Sequence, residues 1–142
     1  MVKKLRGYRV PEARFVVMRD KDSEDCRQVK ERLAAKCAEA GKPDALIRVA
    51  CHELESWYLG DLAAVEAGLE VGGLVRYQKR KPYAAPDHLA APAGKLRAIA
   101  PAYQKIGGSR VIGPHLNPDV NRSHSFSVFV AGIRKLGAVK PK

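Results

Sequence analysis

Four acids crowd into six residues at Asp20, Asp22, Glu24 and Asp25, at the end of the stretch RFVVMRDKDSEDC. Asp20 and Asp22 form a DxD pair just past a short apolar run. Two carboxylates aimed at one point repel each other, and a hard cation such as Mg²⁺ removes that repulsion through oxygen ligands of this kind. The competing chemistry is local. Asp22 can cap a following helix, with Asp25 three residues on completing a box-like arrangement. Capping accounts for Asp22, Glu24 and Asp25 and leaves Asp20 without a role. Glu53 and Glu55 form a second acidic pair, which either reaches the same crevice or starts a helix near the positive end of its dipole.

A further polar cluster lies in YQKIGGSRVIGPHL and NRSHSFSVF. Lys105, Ser109, Arg110, His115, Arg122, Ser123, His124 and Ser125 are groups that bind phosphate. A Ser-rich helix start beside arginine offers free N–H groups and the dipole to an anion. His115 can also exchange a proton near neutral pH. Walker A, GxGxxG and HExxH patterns are absent, and no motif marks a Ser-His-Asp triad.

The elements that must position these residues follow from periodicity. ARFVVMRD (13–20) reads as a buried strand ending at Asp20. SEDCRQVKERLAAKCAEAG (23–41) reads as a helix with Cys26, Val29, Leu33 and Cys37 on one face, stopped by Gly41 and Pro43. ALIRVA (45–50) is a second strand, so the three make a parallel βαβ unit. Ligands of such sheets bind beyond the carboxyl ends of the strands, where both acidic pairs fall.

Residues 51–69 read as helical, with Leu54, Tyr58, Leu62 and Val65 on one side, Trp57 and Tyr58 in the core, and Asp61 capping the continuation after Gly60. Gly72 and Gly73 break it. Residues 76–94 carry three prolines and the cations Arg76, Lys79, Arg80 and Lys81, a loop with short helical turns. KLRAIAPAY (95–103) reads as a brief helix and GGSRVIGPHL (107–116) as another short turn or helix. A last helix over 123–136 has Phe126, Phe129, Val130, Ile133 and Leu136 on one face, with Ser123 or Ser125 as its N-cap.

Composition bounds the partners. Lys and Arg number 26 against 15 Asp and Glu in 142 residues, a net charge of +11. Such an excess favours a polyanion such as nucleic acid, although basic charge also serves solubility. A composition of 46% hydrophobic and 29% charged residues is that of a folded domain. No apolar run approaches the ~20 residues of a membrane span, and the start MVKKLRGYRVPE has no apolar stretch typical of a signal peptide. Cys26, Cys37 and Cys51 lack CxxC spacing and read as small buried side chains in a reducing cytoplasm.

In series, FVVMRDKDSEDCRQVKERL, IRVACHELESWYLGD, YQKIGGSRVIGPHL and NRSHSFSVFVAGIRKL resemble an uncharacterised bacterial family with a TOPRIM-like fold, often encoded beside an AAA-type ATPase. The resemblance spans residues 4–137. It implies one α/β domain over 1–142, with a TOPRIM-like parallel βαβ core in 1–70 and a basic loop and mainly helical part in 71–142. TOPRIM domains of topoisomerases, primases and overcoming-lysogenisation-defect nucleases use a DxD for Mg²⁺ (or Mn²⁺) and a glutamate after an earlier strand. Asp20 and Asp22 match the DxD. Glu55 matches the second acid of the ELEsW segment, and Lys105, His115, Arg122, Ser123 and Ser125 match the later polar segments. The strand bearing the usual glutamate has no counterpart in positions 1–13, so the resemblance implies an N-terminally shortened member with an uncovered sheet edge. The expected function is a metal-dependent nuclease or nucleic-acid-processing activity in phage defence. The rival expectation is a non-catalytic basic subunit that docks on nucleic acid or a partner ATPase.

Overall fold

A short apolar run followed by helical periodicity produces the expected opening of the fold. In a computed structural model, residues 1–138 are described, and a short helix α1 (Val2–Gly7) precedes strand β1 (Val16–Asp20), helix α2 (Cys26–Glu39) and strand β2 (Leu46–Ala50). β1 and β2 pair in parallel, from Val16 opposite Leu46 to Asp20 opposite Ala50. The rest is helical: α3 (Glu55–Leu59), α4 (Leu62–Leu69), α5 (Pro92–Ile99), α6 (Lys105–Ile112) and α7 (His124–Ala138), with 3-10 turns at Val75–Tyr77, Pro86–His88 and Gly113–His115. The described chain is therefore mixed α/β, with a two-stranded parallel sheet.

α2 covers one face of the sheet, where Val29 and Leu33 pack on Val49 with Val17 and Ile47 beside them. α7 packs on the other face chiefly over β2, through Phe126 against Ala50 and Trp57. β1 therefore stays partly open on that face, with Val16 and Met18 40% and 44% exposed. This corrects the expectation of a buried strand: among the described residues the apolar side chains on this face of β1 are only partly covered. The apolar stripe of α7 is buried at Phe126 and fades along the helix, leaving Ile133 exposed.

The main core lies among the later helices, around Leu59, Leu62, Val65, Leu96, Tyr103 and Ile112. The helical stretch expected over 51–69 begins at Glu55 and breaks at Gly60, where an added Cβ would lie 2.9 Å from the Ser123 nitrogen and against Asn121. Asp61 restarts it as expected, its Oδ1 accepting the Ala64 N–H at 3.1 Å and its Oδ2 the Asn117 N–H at 2.9 Å. The three cysteines are unpaired thiols; Cys37 is buried, whereas Cys26 and Cys51 are half-buried. Among the described residues no helix is long and apolar enough to cross a membrane.

Candidate functional site

β1 delivers Asp20 to the carboxyl end of the sheet, and the chain then turns sharply. Lys21 donates its N–H to the Ala50 carbonyl at 3.0 Å and Asp22 donates its own to the His52 carbonyl at 2.8 Å. Asp22 and His52 both hold positive φ, 53° and 60°, a region that Asp and His enter more readily than most side chains. His52 Nδ1 lies 3.2 Å from the Asp22 carbonyl oxygen, so the two corners clasp each other.

The helix cap is Asp25 and not Asp22. Asp25 Oδ1 accepts the Arg27 and Gln28 N–H groups at 2.9 and 3.0 Å. Glu24 is held by Arg32 and Arg19, at 2.5 and 2.8 Å, and the Arg32 contact lowers its carboxyl below the usual range. Local capping and pairing thus account for Glu24 and Asp25, leaving Asp20 and Asp22 as the acids without such a role.

Asp20 lines an open pocket of about 390 Å³ with Leu54, Glu55, Lys105, Ile106, Ser109 and Arg110. Partial burial raises its carboxyl above the ordinary value, and the negative charges of Glu55 and Asp22 raise it further. The Leu54 N–H and the Lys105 ammonium oppose that rise. Asp22 is exposed and acts on the pocket through its charge.

Glu55, the first residue of α3, is only 3% exposed. Its Oε1 accepts the Tyr103 hydroxyl at 2.9 Å and faces the Lys105 ammonium at 3.9 Å. Burial pushes Tyr103 well above an ordinary phenol; a Ser109 contact opposes the rise and the Glu55 carboxylate adds to it, so Tyr103 remains a donor. Tyr103 reaches Glu55 because Gly108 of α6 lies against its ring, where an added Cβ would fall 2.5 Å from Cδ2. Glu53 has other work. Its Oε2 accepts the Ala93 N–H at 2.9 Å, capping α5, and its Oε1 lies 3.5 Å from Lys105.

The phosphate-binding expectations divide. Lys105 and Arg110 line the pocket beside Asp20 and Glu55. His115 sits exposed on the last 3-10 turn, and Arg122 Nε donates to the Ala84 carbonyl at 3.2 Å; neither lines this pocket. Ser123 and Ser125 are buried, and the chain supplies their anion. Asp87 accepts the Ser123 hydroxyl at 2.6 Å and the Ser125 N–H at 2.8 Å. Ser123 caps α7 by accepting the Phe126 N–H at 3.2 Å, and Ser125 Oγ accepts from Trp57 Nε1 at 2.8 Å. The start of α7 thus already has an anion, Asp87, supplied from within the chain. Tyr103, Asp87 and His52, which sequence reasoning did not single out, act through contacts distant in the chain.

Residues 1–134 match the family model for the domain of unknown function DUF4276. The chain belongs to the DUF4276 family. No curated protein and no solved structure matched the chain. Among the described residues, no three His, Cys, Asp or Glu side chains are grouped to hold a metal ion. The pocket offers instead two carboxylates, Asp20 and Glu55, with the charge of Asp22 close by. Mg²⁺ is commonly held by one or two carboxylates while keeping several waters, so this oxygen-only set fits that mode and not a closed protein cage.

Proposed function

We propose that this DUF4276 chain binds a divalent cation, Mg²⁺ or Mn²⁺, at Asp20 and Glu55 and acts on phosphodiesters of nucleic acid. The observation that carries the reading is the meeting of Asp20 and Glu55 in one pocket beyond the strand ends, with Lys105 and Arg110 on its wall. The carboxyl of Asp20 is raised first by partial burial and then by the charges of Glu55 and Asp22, and a bound cation would offset that repulsive part. When bound, the cation would supply positive charge to a reacting phosphoryl oxygen. Tyr103 fixes the direction of Glu55, Glu53 steadies Lys105, and Lys105 and Arg110 supply cations for the phosphate.

The TOPRIM assignment, a role in phage defence and an AAA-type ATPase partner rest on the family resemblance of the motifs. Three unpaired cysteines accord with a reducing compartment such as the cytoplasm. The test is cleavage of labelled DNA and RNA in Mn²⁺ by the native chain and by Asp20→Asn. Cleavage by the native chain alone supports the reading; equal cleavage by both overturns it.

One observation favours a second reading. That observation is the charge: with 26 Lys and Arg against 15 Asp and Glu, the chain also suits a non-catalytic basic subunit that docks on a polyanion. In that case Asp20→Asn leaves function intact or tightens binding, because a repulsive charge is gone.

A further inference from the structure

Between Glu70 and Asp87 the chain carries no acid and four cations, Arg76, Lys79, Arg80 and Lys81. All four are exposed. Among the described residues the side chains of Lys79, Arg80 and Lys81 make no ion pair or hydrogen bond. Arg76 lies over the Tyr77 ring, 5.0 Å from its centroid, and donates to the Tyr77 hydroxyl at 3.2 Å.

The backbone that displays them is pinned from beneath. Gln78 Oε1 accepts the Leu62 N–H at 2.7 Å and Gln78 Nε2 donates to the Leu59 carbonyl at 2.9 Å, so one side chain bridges the break between α3 and α4. Glu66 Oε1 accepts the N–H groups of Leu74 and Val75, the latter at 2.9 Å. Leu74 and Tyr83 are buried, and Tyr83 packs on Tyr77 with ring centroids 5.8 Å apart. Polar and apolar anchors point inward, and cations point outward.

We infer that the loop 71–86 is a docking surface for the phosphate backbone of a nucleic acid. Like charges held close without acids repel one another, and a string of phosphates relieves that repulsion while releasing counterions. A fixed platform suits a regular phosphate array. An anionic membrane is the poorer partner, because the loop's tyrosines and Leu74 pack inward and leave no aromatic anchor for insertion. The inference rests on the nucleic-acid part of the proposed function and is independent of the metal.

The experiment is fluorescence anisotropy of labelled single- and double-stranded DNA and RNA in EDTA, over a salt series. It compares the native chain with the triple variant Lys79→Ala, Arg80→Ala, Lys81→Ala, each checked by circular dichroism. The expected result is affinity weakened roughly tenfold or more near 0.1 M salt, with a salt slope shallower by about two to three. Unchanged affinity and slope in a folded triple variant overturn the inference alone. A native chain that binds no nucleic acid overturns both the inference and the nucleic-acid reading. Native binding to phosphatidylserine vesicles without nucleic-acid binding overturns it in favour of a membrane surface.

Discussion

Tyr103 donates its hydroxyl to Glu55 Oε1 at 2.9 Å, joining two segments that lie 48 residues apart. The bond stabilises a carboxylate that is almost wholly removed from water. Tyr103→Phe removes the donor and leaves a buried charged acceptor short of a partner. The expected loss is about 1.5–3 kcal/mol of stability, read from the urea midpoint. A shift below ~0.5 kcal/mol would show that Lys105 and water suffice for Glu55.

Gly108 tests the same bond from the other side. Gly108→Ala sets a methyl against the Tyr103 ring, so helix propensity gained at an interior position is outweighed by overpacking of about 1–3 kcal/mol. A raised melting temperature would mean that α6 shifts freely and that Tyr103 is not held where it is described.

Asp87 is expected to matter for stability and not for phosphate binding. Asp87→Ala strips the start of α7 of its anion and leaves Ser123 and the Ser125 N–H without that acceptor, a loss of about 2 kcal/mol. Denaturant unfolding with phosphate titrated into the native chain checks both halves. Saturable phosphate binding lost in Ser123→Ala would contradict the assignment.

The two acids of the capping question should separate cleanly. Asp25→Ala removes the α2 cap and costs about 1 kcal/mol. Asp22→Gly replaces a side chain at positive φ and stays within about 0.5 kcal/mol, since glycine holds that backbone without steric cost. Equal losses in thermal unfolding would return Asp22 to a capping role.

These outcomes mark where the sequence was legible. β1, α2 and β2 follow from short apolar runs, a four-residue apolar face and a Gly-Pro stop, all rules that act within one element. Asp61 was readable for the same reason, since a cap is decided three residues away. The choice between Asp22 and Asp25 was not, because the carbonyl that claims the Asp22 N–H belongs to His52, thirty residues on. Tyr103 and Asp87 carry no local signal at all. Each acquires its role only when a distant helix brings it a partner, and β1 reads as buried because its own residues cannot report that α7 packs chiefly over β2.

The most direct measurement is calorimetric titration of Mn²⁺ into the native chain and into Asp20→Asn. Without a cation, at pH between the ordinary 3.8 and the raised native value, the native fold keeps a proton on Asp20 that the unfolded chain releases. Its contribution to stability is present below the ordinary value and lost as pH rises through the native one. Asp20→Asn should therefore gain stability relative to the native chain as pH rises through that window, and its cooperative urea unfolding checks that the variant is folded. The account predicts saturable Mn²⁺ binding to the native chain near neutral pH and its loss in Asp20→Asn. Binding of equal affinity in the folded variant, or none in either chain, would contradict a cation site at Asp20 and Glu55.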